Sequence, residues 1–249
     1  MLAGRGPVLQ FQGAKTMIAV LQDAAADSKR GNCFKVAGRL PPQPCTHDLA
    51  GESALALAEL LPLLGCGEEA AIASFGRLAQ DSSLEAGARA ALHAIASDER
   101  RHDALLSGLR DALPTPTSNP ALRKSSRQFH LAISQGGPQV HLARVAGIDA
   151  AVCAVLSRVL GSASTVAHDP GVARVLGHIR RDEARHVATS RGIAIAAVGR
   201  SRARDAAAEA RAGLADLIEM GADAFARIGV DPDRLLAQVR ALPNGLFPR

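Results

Sequence analysis

Asp98-Glu99-Arg100-Arg101-His102 and Asp182-Glu183-Ala184-Arg185-His186 repeat one pattern, Asp-Glu-x-Arg-His, each inside a long stretch rich in Ala, Leu, Ile and Val. On a helix, residues i and i+3 project from one face about one turn apart. Glu99 can therefore share a metal edge with His102, and Glu183 with His186. Helical bundles that hold two transition-metal ions are supplied in this way, with a Glu-x-x-His motif from each of two helices and a carboxylate from each of the other two. Two further acids stand upstream at suitable distances: Glu68 lies 31 residues before Glu99, and Asp149 lies 34 before Glu183. At about 1.5 Å rise per residue, returning to the same depth in an antiparallel helix pair takes on the order of thirty residues. The chain reads as an internal duplication, helix with acid and then helix with Asp-Glu-x-Arg-His, occurring twice.

Apolar periodicity puts each acid on an inward face. Glu68, Ile72, Phe75 and Ala79 form one such face; Ser53 to Leu64 is also helical in composition, but Pro62, Gly65 and Gly67 interrupt it. The first bundle helix is therefore expected to kink there or to start there. A second helix is predicted from about Ser83 to Leu113, with Leu92, Ile95, Glu99, His102 and Leu106 in one stripe, and a third from about Val140 to Ser162, with Val145, Asp149, Cys153 and Leu156. The fourth opens on Asp169 as a cap and Pro170 in its first turn, and carries Val175, Ile179, Glu183, His186 and Ser190. Between helices 2 and 3, the prolines and glycines of Leu113 to Pro138 predict an irregular crossover long enough to span the bundle. Residues 1–46 read as an N-terminal extension, irregular apart from a short helix near Thr16 to Ala26. Residues 47–199 read as the bundle, and 200–249 as a C-terminal helical extension packed outside it and without identifiable chemistry.

A chain of 249 residues with 47% hydrophobic content can build a sizeable core, and aromatic residues at 2%, with six Phe and neither Tyr nor Trp, suit close-packed helices better than strands. The missing Tyr excludes a protein that stores a tyrosyl radical. The net charge of +5 comes from basic residues scattered among acids, as in Arg200 to Arg211, which predicts a solvated surface and no nucleic-acid partner. No apolar run approaches the roughly 20 residues of a membrane span, and the N-terminal segment lacks the continuous apolar core of a secretory signal, so no membrane association and a cytoplasmic location are expected. Cys33, Cys45, Cys66 and Cys153 are too widely spaced for a zinc ribbon or a rubredoxin-like site. They read as reduced thiols, with a Cys33 to Cys45 disulfide only in an exported chain.

Burying four carboxylates without counter-charge would be strongly destabilising. Two divalent cations neutralise Glu68, Glu99, Asp149 and Glu183, and the two His add neutral nitrogen donors. Mixed carboxylate and imidazole ligation with open positions favours iron or manganese over zinc. Asp98 and Asp182 have two available roles. Each can accept the free imidazole N–H of a ligating His on a neighbouring helix, fixing its tautomer, or pair with Arg101 or Arg185 one turn on. Glu69 rivals Glu68 on a poorer face, and Cys153 fills core or lines a pocket. His93, His130, His141, His168 and His178 read as non-ligands.

The stretch Glu68-Glu69-Ala70-Ala71-Ile72-Ala73-Ser74-Phe75 with Asp98 to His102, then Asp149 with Asp182 to His186, resembles the ferritin-like superfamily of non-haem diiron carboxylate proteins, in particular bacterial ferritin-like domain proteins. The resemblance covers about Glu68 to Val198. It implies an all-α, ferritin-like four-helix bundle with one long crossover between helices 2 and 3. It also implies two iron ions, with manganese as the alternative, held by Glu68, Glu99, His102, Asp149, Glu183 and His186. The implied activity is that of a diiron oxidase or oxygenase, using O2 to oxidise or hydroxylate a small-molecule substrate inside the bundle. Electrons would come from an external reductase or ferredoxin, because no Gly-x-Gly-x-x-Gly opens a helix here; a homodimer is compatible with it. Two departures stand out. Asp149 occupies a position where that group usually has Glu, and its shorter arm would disfavour some bridging modes or leave one metal weaker; the absence of a rubredoxin-like cysteine module argues against a rubrerythrin-type peroxidase. The competing expectations are a ferroxidase that handles iron and a helical interaction protein with a degenerate site.

Overall fold

The computed structural model describes residues 32–116 and 120–242, and these contain helices and no strand. The helices are α1 (Gly51–Leu78), α2 (Ala86–Ala112), α3 (Pro120–Ile133), α4 (Pro138–Val159), α5 (Pro170–Val198), α6 (Arg200–Met220), α7 (Ala222–Arg227) and α8 (Pro232–Arg240), with a 3-10 turn at Thr165–His168. The short helix expected near Thr16 to Ala26 lies outside the described residues. The start signal read at Asp169 acts as expected, its Oδ1 accepting from the Val172 N–H at 2.9 Å ahead of Pro170, and Asp231 likewise accepts from the Arg234 N–H ahead of Pro232.

Two apolar clusters show how the rods run. Leu57, Leu60 and Leu63 near the start of α1 share a cluster with Leu106 and Leu109 near the end of α2, while Phe75 and Leu78 share another with Leu92 and Ile95. The pair is therefore antiparallel. The same division joins Val155 of α4 to Val172 and Leu176 of α5 in the first cluster, and Leu142 and Val145 to Ala194 in the second. Between the clusters lies a layer of buried polar side chains, Glu68, Glu99, His102, Asp149, Glu183 and His186.

Four expectations need correction. α1 does not begin beside Glu68; it runs as one helix from Gly51 through Pro62, Gly65 and Gly67. A proline costs a helix interior about 3 kcal/mol, and the burial of Leu60, Leu61, Leu63 and Cys66 around it offsets that loss. The crossover is not irregular, because α3 occupies it and packs on α1, α4 and α6. The C-terminal helices do not stay outside: α6 lies along α4, and Leu214, Ile218, Phe225 and Leu235 belong to the main core. Finally, α4 is long and apolar enough by composition to cross a membrane, yet 72% of that window is buried inside the molecule. Neighbours on every side, α1, α5, α6 and α8, account for its apolarity.

Residues 32–50 form an irregular strap over the helices. Cys33 is joined to Cys66 of α1 by a disulfide, whereas the sequence suggests free thiols or a link to Cys45; Cys45 and Cys153 are the free cysteines. The backbone N–H groups of Cys33 and Phe34 donate to Glu69 Oε2 at 2.7 and 2.6 Å, and Arg39 bridges Glu69 and Asp103. Further on, the Gln43 N–H donates to Ala104 O, and the Asp48 N–H donates to Asp169 Oδ2 at 2.7 Å. Glycine makes the close passages possible: a Cβ on Gly108 would stand 1.6 Å from Gln43 O, and one on Gly171 1.9 Å from Thr46 O.

Candidate metal centre

The polar layer is assembled by helical spacing and by the antiparallel pairing. Glu99 and His102 sit one turn apart on α2, Glu183 and His186 one turn apart on α5, and Glu68 and Asp149 come from α1 and α4 at the same depth. His102 Nδ1 lies 3.1 Å from Glu99 Oε2, 3.3 Å from Glu68 Oε2 and 3.3 Å from Glu183 Oε1. His186 Nδ1 lies 3.0 Å from Glu99 Oε1 and 3.6 Å from Glu183 Oε1. Glu99 and Glu183 thus stand between the two imidazoles, whose ring centroids are 5.7 Å apart. Glu68 flanks the His102 side.

Glu68, Glu99, His102 and Glu183 form a buried group that could hold a metal ion, their ligand atoms all within 4.8 Å of one another. Asp149 and His186 fall outside this tight set. Asp149 is buried in the same layer, close enough to feel the charges of Glu183, Glu99 and His186, but its arm is one methylene shorter than a Glu and its Oδ2 has no hydrogen-bond partner among the described residues. His186 Nδ1 and Glu99 Oε1 face each other without hydrogen-bond geometry. Unpaired buried polar atoms are rare and costly. Here Asp149, Glu99 and His186 leave such atoms in one layer, and they are the donor types that iron and manganese accept.

Each Asp of the repeated pattern serves the opposite helix. His102 Nε2 donates to Asp182 Oδ2 at 3.2 Å, and His186 Nε2 donates to Asp98 Oδ2 at 3.1 Å. The remaining oxygens pair with Arg185 at 2.7 Å and with Arg101. Both roles open to these acids in the sequence are therefore occupied at once. An ionised carboxylate only accepts, so the contact places a proton on Nε2 and turns Nδ1 toward the carboxylates.

Charge in the layer is strongly coupled. Burial, and then repulsion from Glu99, push Glu68 up to about 8 against the pull of His102. Burial pushes Asp149 well above the usual carboxylate range, with Glu183 and Glu99 adding repulsion. Glu99, equally desolvated and repelled by Glu183, is held below its ordinary value by the His102 and His186 imidazoles and by Glu68 beside it. Burial opposes charge on both imidazoles, yet the surrounding carboxylates win; His102 is raised, and His186 is raised to about 11. Protons do here, incompletely, what cations would do.

Other sequence candidates fall elsewhere. Glu69 points to the strap, not to the layer. Cys153 is half-buried with its thiol pushed up to about 12 by burial and by Glu183 and Asp149. His93 and His168 stay at the surface. His178 Nε2 reaches Asp182 at 3.5 Å from a half-buried position. His130 and His141, which the sequence puts off the ligand stripes or in a loop, are buried on the wall of a cavity that also touches Glu68, Glu99, Asp149 and Glu183. The spacing of His141, Val145 and Asp149 at i, i+4 and i+8 carried that signal. His130 carried none, because its helix was hidden among prolines.

Comparison of the chain with protein-family models and with curated proteins gives no match.

Proposed function

We propose that this chain is a ferritin-like dinuclear iron protein that uses O2 to oxidise or hydroxylate a small organic molecule. The observation that carries the reading is the exchange between the two Asp-Glu-x-Arg-His copies, in which each Asp holds the other copy's imidazole while both Glu lie between the two rings. A surface Glu-x-x-His pair has no reason for such reciprocity. Two antiparallel helix pairs joined by a crossover, with the acids at mid-depth, fit ferritin-like connectivity.

One ion would take Glu68, Glu99, His102 and Glu183; a second would take Asp149 and His186 with Glu99 and Glu183 shared. Iron held by these residues would supply reducing equivalents for O2, to be restored by an external reductase or ferredoxin. The chain's own contribution is to fix the imidazole tautomers through Asp98 and Asp182, to hold carboxylates that can shift between the two positions, and to exclude water with the apolar layers above and below. The cavity beside the carboxylates favours an organic substrate over iron handling, because iron traffic needs a polar path and this wall is mostly aliphatic.

Anaerobic titration with Fe2+, followed by O2, tests the reading. The expected result is about two irons per chain and rapid O2 uptake that His102→Ala with His186→Ala abolishes. A chain that binds neither iron nor manganese after reconstitution overturns it. Release of ferric iron without retention in the chain points to the ferroxidase reading instead.

A further inference from the structure

Small residues on one face of α1, Gly67, Ala70, Ala71 and Ser74, do not fill the space toward α4 and leave a cavity between the two helices. Val145, Ile148, Val152 and Val155 of α4 form the facing wall, and Leu214 and Ile218 of α6 and Ile133 of α3 close it. The cavity has a volume of about 50 Å3, several times what one buried water requires. Among the described residues, the walls contain no Lys, Arg, Asp or Glu beyond the four carboxylates of the candidate metal layer.

Away from that layer the cavity carries a second polar group of a different kind. His141, in the first turn of α4, is buried; its Nε2 lies 3.5 Å from Ser74 Oγ, and its Nδ1 has no hydrogen-bond partner among the described residues. His130 of the crossover helix joins the same wall, its Nε2 4.0 Å from the place a Gly67 Cβ would occupy. Burial holds both rings neutral, depressing His130 to about 4 and His141 to about 3. A neutral imidazole offers one N–H and one lone pair, so the pair with Ser74 can both donate and accept. His141 precedes Asp149 by eight residues on one helix, about 12 Å at 1.5 Å rise per residue.

We infer that this cavity binds the organic substrate, and that the substrate is an uncharged aliphatic molecule whose hydroxyl or carbonyl group is held by His141, His130 and Ser74 while its far end reaches the carboxylates. The inference rests on the reading of the carboxylate layer as the oxidising site, and it names the substrate class. A charged head is disfavoured because, among the described residues, no counter-charge lines the wall at the histidine end, and an ion buried without one loses its solvation. Bulky ring systems are disfavoured because α1 leaves only the depth of its missing side chains. The unpartnered Nδ1 of His141 is the atom a hydroxyl would satisfy.

Calorimetric titration of the full chain with 1-octanol, octanoate and octylammonium tests this, on protein as isolated and again after anaerobic loading with Fe2+. The alcohol is expected to bind at least tenfold more tightly than either ion. His141→Leu should weaken the alcohol about tenfold or more, His141→Gln should keep most of the affinity, and Ala71→Leu should remove binding by filling the channel. Metal content should be unchanged in all three variants. Equal affinity for the alcohol and the ions, or affinity indifferent to both His141→Leu and Ala71→Leu, overturns the inference. Because metal content is measured separately, failure of the dinuclear reading shows as an empty layer with the alcohol still bound. Failure of the substrate class shows as two metals and no alcohol. If His141→Leu does not fold, Ala71→Leu and the comparison of head groups decide alone.

Discussion

Glu99 and Asp149 differ in what the layer asks of them. Glu99 reaches both imidazoles, one with each oxygen, whereas Asp149 stands on the His186 side with one oxygen unpaired. Substituting Glu99 by Ala is therefore expected to leave essentially no tightly held metal, while Asp149→Ala keeps about one ion per chain and Asp149→Glu raises occupancy of the weaker position. Elemental analysis of reconstituted variants reads this directly; equal losses from the two alanine substitutions would remove the distinction between shared and flanking carboxylates. Asp149 lies outside the set whose ligand atoms are within 4.8 Å of one another, and its arm is one methylene shorter than that of a Glu.

Among the elements, the strap of residues 32–50 ties α1, α2 and α5 together through Glu69, Ala104 and Asp169. Its path depends on two glycines whose missing Cβ atoms leave room for backbone carbonyls. Gly108→Ala and Gly171→Ala are each expected to destabilise the chain by about 1–3 kcal/mol, the usual cost of forcing atoms into a packed contact. Gly76→Ala, with nothing near its Cβ position in α1, should be neutral or stabilise by about 0.5–1 kcal/mol. Thermal melts of the three variants check this; equal shifts would mean that the strap does not press on α2 and α5. Nothing in the periodicity of the sequence marks these two glycines, since both lie inside helices that tolerate a glycine without any strap above them.

At the scale of the whole molecule, the buried imidazoles of the cavity tie the fold to pH. Above about 6.5, the ordinary value for an imidazole, neither folded nor unfolded chain protonates His130 or His141. As pH falls, the unfolded chain takes up protons that the fold refuses until about 4 for His130 and about 3 for His141, so each ring withdraws stability over that window. Compared with His141→Gln, the wild type is expected to lose stability by on the order of a few kcal/mol between pH 6.5 and 3. Denaturation curves of the two proteins across this range measure it, and parallel curves would show that His141 is not kept neutral.

The duplicated Asp-Glu-x-Arg-His pattern, the two upstream acids and the caps at Asp169 and Asp231 act over one or two helical turns, so the sequence by itself determined that helices would form and which side chains would share their inward faces. Local spacing also suggested the depth at which Glu68 meets Glu99. Which rods touch is a different matter, because apolar faces of similar width can pair in several ways. Only the tertiary structure decided that α3 forms amid the prolines of the crossover, that α6 closes the core instead of lying outside it, and that Cys33 meets Cys66. The small residues of α1 and the histidines of α3 and α4 became one cavity for the same reason: its walls belong to residues far apart in the chain, brought together by burial of surface that no single helix could hide alone.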